Sequence, residues 1–150
     1  MYTVKEHILL ENGSSVNFYP TQNQGGQIEP KYLVIHFTAG SLDARGTANY
    51  FQNPKAKASA HLTMDLDGTT VQSVPFNCKA WHAGKSRWDG YTGLNSHSIG
   101  IEVCNPGPLT ITSSGYKTWW GASVDPEGII EAPHPNNPSG QVFGWVPFSP

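Results

Sequence analysis

The chain has 150 residues, 37% of them apolar, with a net charge of -2 and a pI near 6.3. That length suits one domain able to bury a core, and the charge leaves no basic surplus to neutralise phosphates, which argues against a nucleic-acid partner. No apolar run approaches the roughly 18 residues of a membrane span, and the opening Met-Tyr-Thr-Val-Lys-Glu lacks a signal peptide's basic and apolar regions, so the expected location as synthesised is cytoplasmic. Cys78 and Cys104 have no metal-type spacing and read as buried free thiols rather than a disulfide.

Residues 1–31 read as a lead-in. His7-Ile8-Leu9-Leu10 and Val16-Asn17-Phe18-Tyr19 flank Asn12-Gly13, a strong turn signal, which predicts a hairpin with His7 at the surface. Residues 20–30 are rich in Gln, Asn, Gly and Pro and read as loop. Tyr32-Leu33-Val34-Ile35-His36-Phe37 then predicts a buried strand, broken by Thr38-Ala39-Gly40, with His36 near its end. A rigid strand end beside an open loop suits a metal ligand or a catalytic base; a core histidine bonded to backbone is the alternative.

Ser41 is a good N-cap for a helix with Leu42, Ala44, Ala48 and Phe51 on one face, which Asn53-Pro54 should end. From Ser59 to Val74, alternation on both sides of Asp67-Gly68 predicts a hairpin with His61 and Thr63 on one face and Leu62 and Met64 on the other. Ala80-Trp81-His82-Ala83-Gly84-Lys85-Ser86-Arg87-Trp88 lacks any period and reads as an aromatic loop, either a binding edge or packing over the core. Ser98-Ile99-Gly100-Ile101-Glu102-Val103-Cys104 predicts a strand with Gly100, Glu102 and Cys104 on one face. A mid-strand carboxylate in apolar surroundings is a candidate general base, because burial raises its pKa; a buried ion pair with Lys79 or Arg87 is the structural alternative. Residues 106–150 read as a loop-rich extension with no long amphipathic helix.

Four segments in order, Val34-Ile35-His36-Phe37-Thr38-Ala39-Gly40, Ser59-Ala60-His61-Leu62 with Asp67-Gly68-Thr69, Ala80-Trp81-His82-Ala83-Gly84, and Asn95 with Ser98-Ile99-Gly100-Ile101-Glu102, resemble the zinc-dependent N-acetylmuramoyl-L-alanine amidases, whose fold is shared with the peptidoglycan recognition proteins. The resemblance covers about half the chain, residues 32–105. It implies an α/β fold, a mixed central β-sheet flanked by helices, here helix-poor, in a single amidase-like domain over residues 1–150. The implied activity is hydrolysis of the amide between N-acetylmuramic acid and L-alanine of a peptidoglycan stem peptide. His36 matches the family's first zinc ligand and Glu102 the glutamate held near the zinc-bound water. His61, Trp81, His82, Trp88 and Asn95 are carried to the substrate cleft, Trp81 and Trp88 as sugar platforms. Ala60 stands where the recognition proteins and phage enzymes carry a tyrosine, which favours the glutamate-using branch.

One departure concerns the metal. The family's late Gly-His-x-Asp segment has no counterpart after Asn105; His134 lies between Pro133 and Pro135, outside any such motif. A catalytic Zn2+ takes three protein ligands and a water, and only His36 is clear here. The expectation is therefore the N-terminal portion of a longer amidase acting on peptidoglycan or muropeptides. The alternatives are a zinc-free peptidoglycan-binding module of the same fold or an inactive fragment. No HExxH motif and no GxSxG motif is present, which sets aside the corresponding peptidases and serine hydrolases.

Overall fold

The computed structural model describes residues 1–40 and 43–148. In chain order its strands and helix are β1 (Tyr2–Lys5), β2 (Ile8–Glu11), β3 (Ser14–Ser15), β4 (Asn17–Phe18), β5 (Gln24–Gln27), β6 (Tyr32–Phe37), α1 (Ala44–Gln52), β7 (Leu62–Met64), β8 (Thr70–Gln72), β9 (Cys78–Ala80), β10 (Arg87–Trp88), β11 (Tyr91–Thr92) and β12 (Ser98–Val103), followed by β13 (Thr110–Thr112), β14 (Gly115–Lys117), β15 (Ser123–Val124), β16 (Ile130–Pro133) and β17 (Val142–Trp145). The chain divides into two compact units, residues 1–36 with 42–104 and residues 37–41 with 105–150.

The first unit is organised on a five-stranded sheet of order β4-β8-β7-β12-β6. It is mixed: β7 and β8 are antiparallel, while β12 runs parallel to β7 and β4 parallel to β8. The β7–β8 hairpin forms where the alternation turns at Asp67-Gly68. Gly68 takes φ +85°, a conformation a side chain resists, and the Asp67 carboxylate accepts from Thr69 N at 2.8 Å.

Among the described residues α1 is the only α-helix, so the expected helical flanks reduce to one. Its N-cap is Asp43 rather than Ser41, which lies outside the described residues together with Leu42. The Asp43 carboxylate accepts from Gly46 N at 2.6 Å and places its charge at the positive helix end. Asn53 closes the helix before Pro54, as the sequence predicts. Ala44, Thr47, Ala48 and Phe51 are buried at helical spacing, and Ala44 and Ala48 form the core cluster with Val71 and Cys104. Cys104 is buried and Cys78 half-buried; both are free thiols.

The lead-in hairpin turns at Asn12-Gly13, both with positive φ, but its second strand is β3, shorter than the predicted Val16-to-Tyr19 arm. Phe18 instead joins the main sheet through β4. His7 is exposed, and its carbonyl accepts from the wholly buried Gln72 at 3.0 Å, tying the hairpin to β8.

The predicted burial of β6 is not what the structure shows. β6 is the outer strand, and Leu33 and Ile35 are 67% and 71% exposed, whereas Tyr32, Val34 and His36 are half-buried. An apolar run buries both faces only when both are covered, and α1 lies over β7 and β8. In the second unit the loop-rich stretch carries five short strands, in a β13-β14-β15 sheet and a β16-β17 hairpin. Their two- to four-residue length explains why no period marks them. No helix among the described residues is long and apolar enough to cross a membrane.

Candidate active site

The site is built on β12 and its two neighbours. Ser98, Gly100 and Glu102 alternate onto one face of β12. The His82 ring lies against that face: a Cβ added to Gly100 would collide with His82 Cγ. His36, at the end of β6, meets the same ring, with Nε2 3.0 Å from His82 Nδ1. His36 and Glu102 thus occupy neighbouring strands on a common face.

Asn95 and Ser98 hold His82 in place. Asn95 Oδ1 accepts from the backbone N–H of His82 at 3.0 Å and of Ala83 at 2.7 Å. Ser98 Oγ lies 3.3 Å from His82 Nε2 and donates to the Leu94 carbonyl at 2.7 Å. Just before it, Trp81 is clamped by Ser59, whose N–H donates to the Trp81 carbonyl at 3.0 Å and whose Oγ accepts from Trp81 N at 2.9 Å.

His61 has a different place from the one carried to it. It has no exposed surface; Nδ1 accepts from Gly100 N at 2.9 Å and Nε2 donates to the Cys78 carbonyl at 2.8 Å. With both ring nitrogens used it braces β12 and cannot touch a substrate. Asn95 likewise spends its oxygen on the His82 loop. Trp81 is half-buried beside this loop. Trp88 is 66% exposed and lines a shallow groove of about 330 Å³ with Tyr32, Leu33, Val34, Ile35, Arg87 and Leu94, a lining that does not include His36, His82 or Glu102.

The electrostatics follow from burial. Desolvation drives the His82 pKa down to about 4, helped by the neighbouring His36 and His61, and desolvation also lowers His36 and His61, so all three rings are neutral at pH 7. Glu102 moves the other way, up to about 7, from desolvation. Its Oε2 is buried with no hydrogen-bond partner, as is Oγ1 of Thr63, its register partner on β7. Among the described residues the ion-pair alternative is not realised: burial alone raises the Glu102 pKa, the Lys79 stem packs over Gly25, and Arg87 is exposed on β10. A half-protonated, desolvated carboxyl can both take and return a proton near neutrality.

Sequence reasoning assigned no role to Ser98, Gly100 or Thr63. Ser98 and Gly100 were signalled by the alternation that placed Glu102, whereas Thr63 could be found only through strand register.

The family model for N-acetylmuramoyl-L-alanine amidase matches residues 26–128. The chain belongs to the N-acetylmuramoyl-L-alanine amidase family. The 1,6-anhydro-N-acetylmuramyl-L-alanine amidase AmpD of Escherichia coli strain K12 is 36% identical over 92 residues, 61% of this chain and 50% of that protein. AmpD of Haemophilus influenzae is 30% identical over 135 residues, covering 90% of this chain and 68% of that one. Among solved structures, a selenomethionine AmpD derivative superposes with a TM-score of 0.58 at 28% identity, over 68% of this chain and 65% of that chain. PlyL, at 21% identity and a TM-score of 0.51, shares the fold. The chain spans about half the length of the Escherichia and Salmonella AmpD proteins it matches.

Members of this amidase family are generally zinc-dependent. The donor set here fits one corner of a zinc site. Among the described residues His36 Nδ1 has no hydrogen-bond partner, its Nε2 being the atom engaged by His82. Among the described residues no three His, Cys, Asp or Glu side chains are arranged so that they could hold a metal ion. His134 is occupied in the second unit, its Nδ1 accepting from Asn136 N at 3.1 Å.

Proposed function

We propose that the chain carries the general base and the first metal ligand of a peptidoglycan amidase that cleaves the bond between N-acetylmuramic acid and the L-alanine of the stem peptide. The observation that carries this reading is Glu102, a half-buried carboxyl with its pKa near 7 and a buried, unpartnered Oε2, on the same face as His36. In amide hydrolysis a water must lose a proton as it attacks the carbonyl carbon, and the departing amine must gain one. Glu102 takes the first proton as carboxylate and delivers it to the alanine nitrogen as acid, which one group can do because its pKa sits near the working pH. Its low-polarity surroundings strengthen both transfers, and Thr63 Oγ1 supplies a hydroxyl beside the same strand position. His36 would hold zinc through Nδ1; zinc when bound would make water more acidic and polarise the carbonyl.

The muropeptide substrate is inferred from the names of the AmpD relatives. The test is to incubate the chain with N-acetylmuramyl-L-alanyl peptide, with and without added zinc, and to follow the new alanine amine by mass spectrometry. Release of free peptide that is lost in Glu102→Gln supports the reading. Binding of the muropeptide without release, at any zinc concentration, overturns it and favours a binding module of the same fold.

A further inference from the structure

We propose that His82 and Ser98 are positioning residues that fix the tautomer of His36, keeping its proton on Nε2 and its lone pair on Nδ1, the atom open to a borderline divalent metal. The metal part rests on the reading of His36 as a ligand; the tautomer part does not.

The order of protons follows from one acceptor that cannot donate. The Leu94 carbonyl takes the Ser98 hydroxyl hydrogen at 2.7 Å. A hydroxyl has a single hydrogen, so Ser98 Oγ offers His82 only lone pairs, and His82 Nε2, 3.3 Å away, must carry a proton. A neutral imidazole has one N–H, which leaves His82 Nδ1 as an acceptor. His36 Nε2, 3.0 Å from that atom, is then the donor, and its own Nδ1 is left bare. The reversed order would have Ser98 give its hydrogen across 3.3 Å instead of 2.7 Å, exchanging the shorter bond for the longer inside a residue with no exposed surface.

Two features keep this chain in register. Gly100 leaves the space that the His82 ring fills, and Asn95 anchors the His82 and Ala83 backbone. A metal-ligating histidine needs its second ring nitrogen tied down, since the wrong tautomer would place a hydrogen where the metal bond must form. Here the tie is an imidazole in place of the commoner carboxylate or carbonyl, which keeps the pair uncharged.

The experiment is nitrogen-15 NMR of the ring nitrogens in metal-free, histidine-labelled protein, well above the titration range of imidazole. The expected result is a protonated Nε2 and a bare Nδ1 on both His36 and His82. His82→Asn, whose amide oxygen can replace the Nδ1 acceptor, should keep the His36 pattern, and His82→Ala should let His36 populate both tautomers, with thermal melts confirming that each variant is folded. A wild-type His36 protonated on Nδ1 overturns the proposal, as does an unchanged His36 pattern in folded His82→Ala. Zinc is then added separately: if His36 has the expected tautomer but zinc leaves its Nδ1 signal unmoved, the positioning role stands and the metal reading falls.

Discussion

Glu102 and Thr63 stand opposite one another on neighbouring parallel strands, and each holds a buried side-chain oxygen with no hydrogen-bond partner. A fold rarely leaves two such atoms side by side, because each costs about 1 to 3 kcal/mol of desolvation. The pair is a cost to stability that the proton transfer proposed for Glu102 would explain.

Glu102→Gln therefore separates activity from stability. The amide keeps the shape but cannot accept the proton, so kcat for amide release should fall about a hundredfold or more. Stability should move the other way. The folded-state pKa of about 7 exceeds the ordinary value of 4.5, so the stabilising effect of protonated Glu102 is complete below pH 4.5 and disappears as pH rises through about 7. Glu102→Gln should accordingly melt at or above the wild type at pH 8, the gap closing toward pH 4.5. A variant that melts lower at pH 8 would mean Glu102 is a structural partner.

The histidines impose the opposite slope. His36, His61 and His82 have folded pKa values below 6.5, with His82 at about 4, so the unfolded chain takes up protons first and stability falls as pH drops from about 6.5 toward 4. In the wild type this loss is partly masked by Glu102, which gains stability over an overlapping range. Melting curves of Glu102→Gln as a function of pH should expose the histidine slope alone, steeper than in the wild type. Equal slopes in the two proteins would remove Glu102 from the titration.

Gly100→Ala should displace His82. A methyl on Gly100 would overlap the His82 ring and cannot be accommodated without movement, and overpacking of this kind costs about 1 to 3 kcal/mol. Chemical denaturation should show that loss, and the His82 ring signals should shift in the folded variant. Retention of wild-type stability and ring signals would show that the ring does not rest on Gly100.

Asn95→Ala should free the backbone N–H groups of His82 and Ala83, costing about 1 to 3 kcal/mol and raising hydrogen exchange at both amides. Asn95→Asp retains an oxygen acceptor and should restore most of the protection. Equal exchange in both variants would place the anchor elsewhere.

The parts of this molecule that alternate or turn sharply were legible from the sequence, because a two-residue period and an Asp-Gly step act locally. The Leu62-to-Gln72 hairpin, strand β12 and the face shared by Gly100 and Glu102 follow from that. What escaped depends on partners distant in the chain. His61 has the same alternation as a cleft residue, and only Cys78 and Gly100, brought to its ring by the fold, reveal it as a brace. The exposure of Leu33 and Ile35 is a matter of what lies on the sheet, which composition cannot report. The helix start moved from Ser41 to Asp43 because both residues can cap, and the carboxylate also meets the positive helix end.

The outer position of β6 has a colloidal consequence. A strand that ends a sheet presents unpaired backbone groups, and here two aliphatic side chains, 67% and 71% exposed, accompany them. That combination favours strand addition between molecules, so losses of the purified chain on storage should rise with its concentration. A lysine at Ile35, pointing away from the histidine face, is the substitution that would keep the protein dispersed while leaving the chemistry untouched.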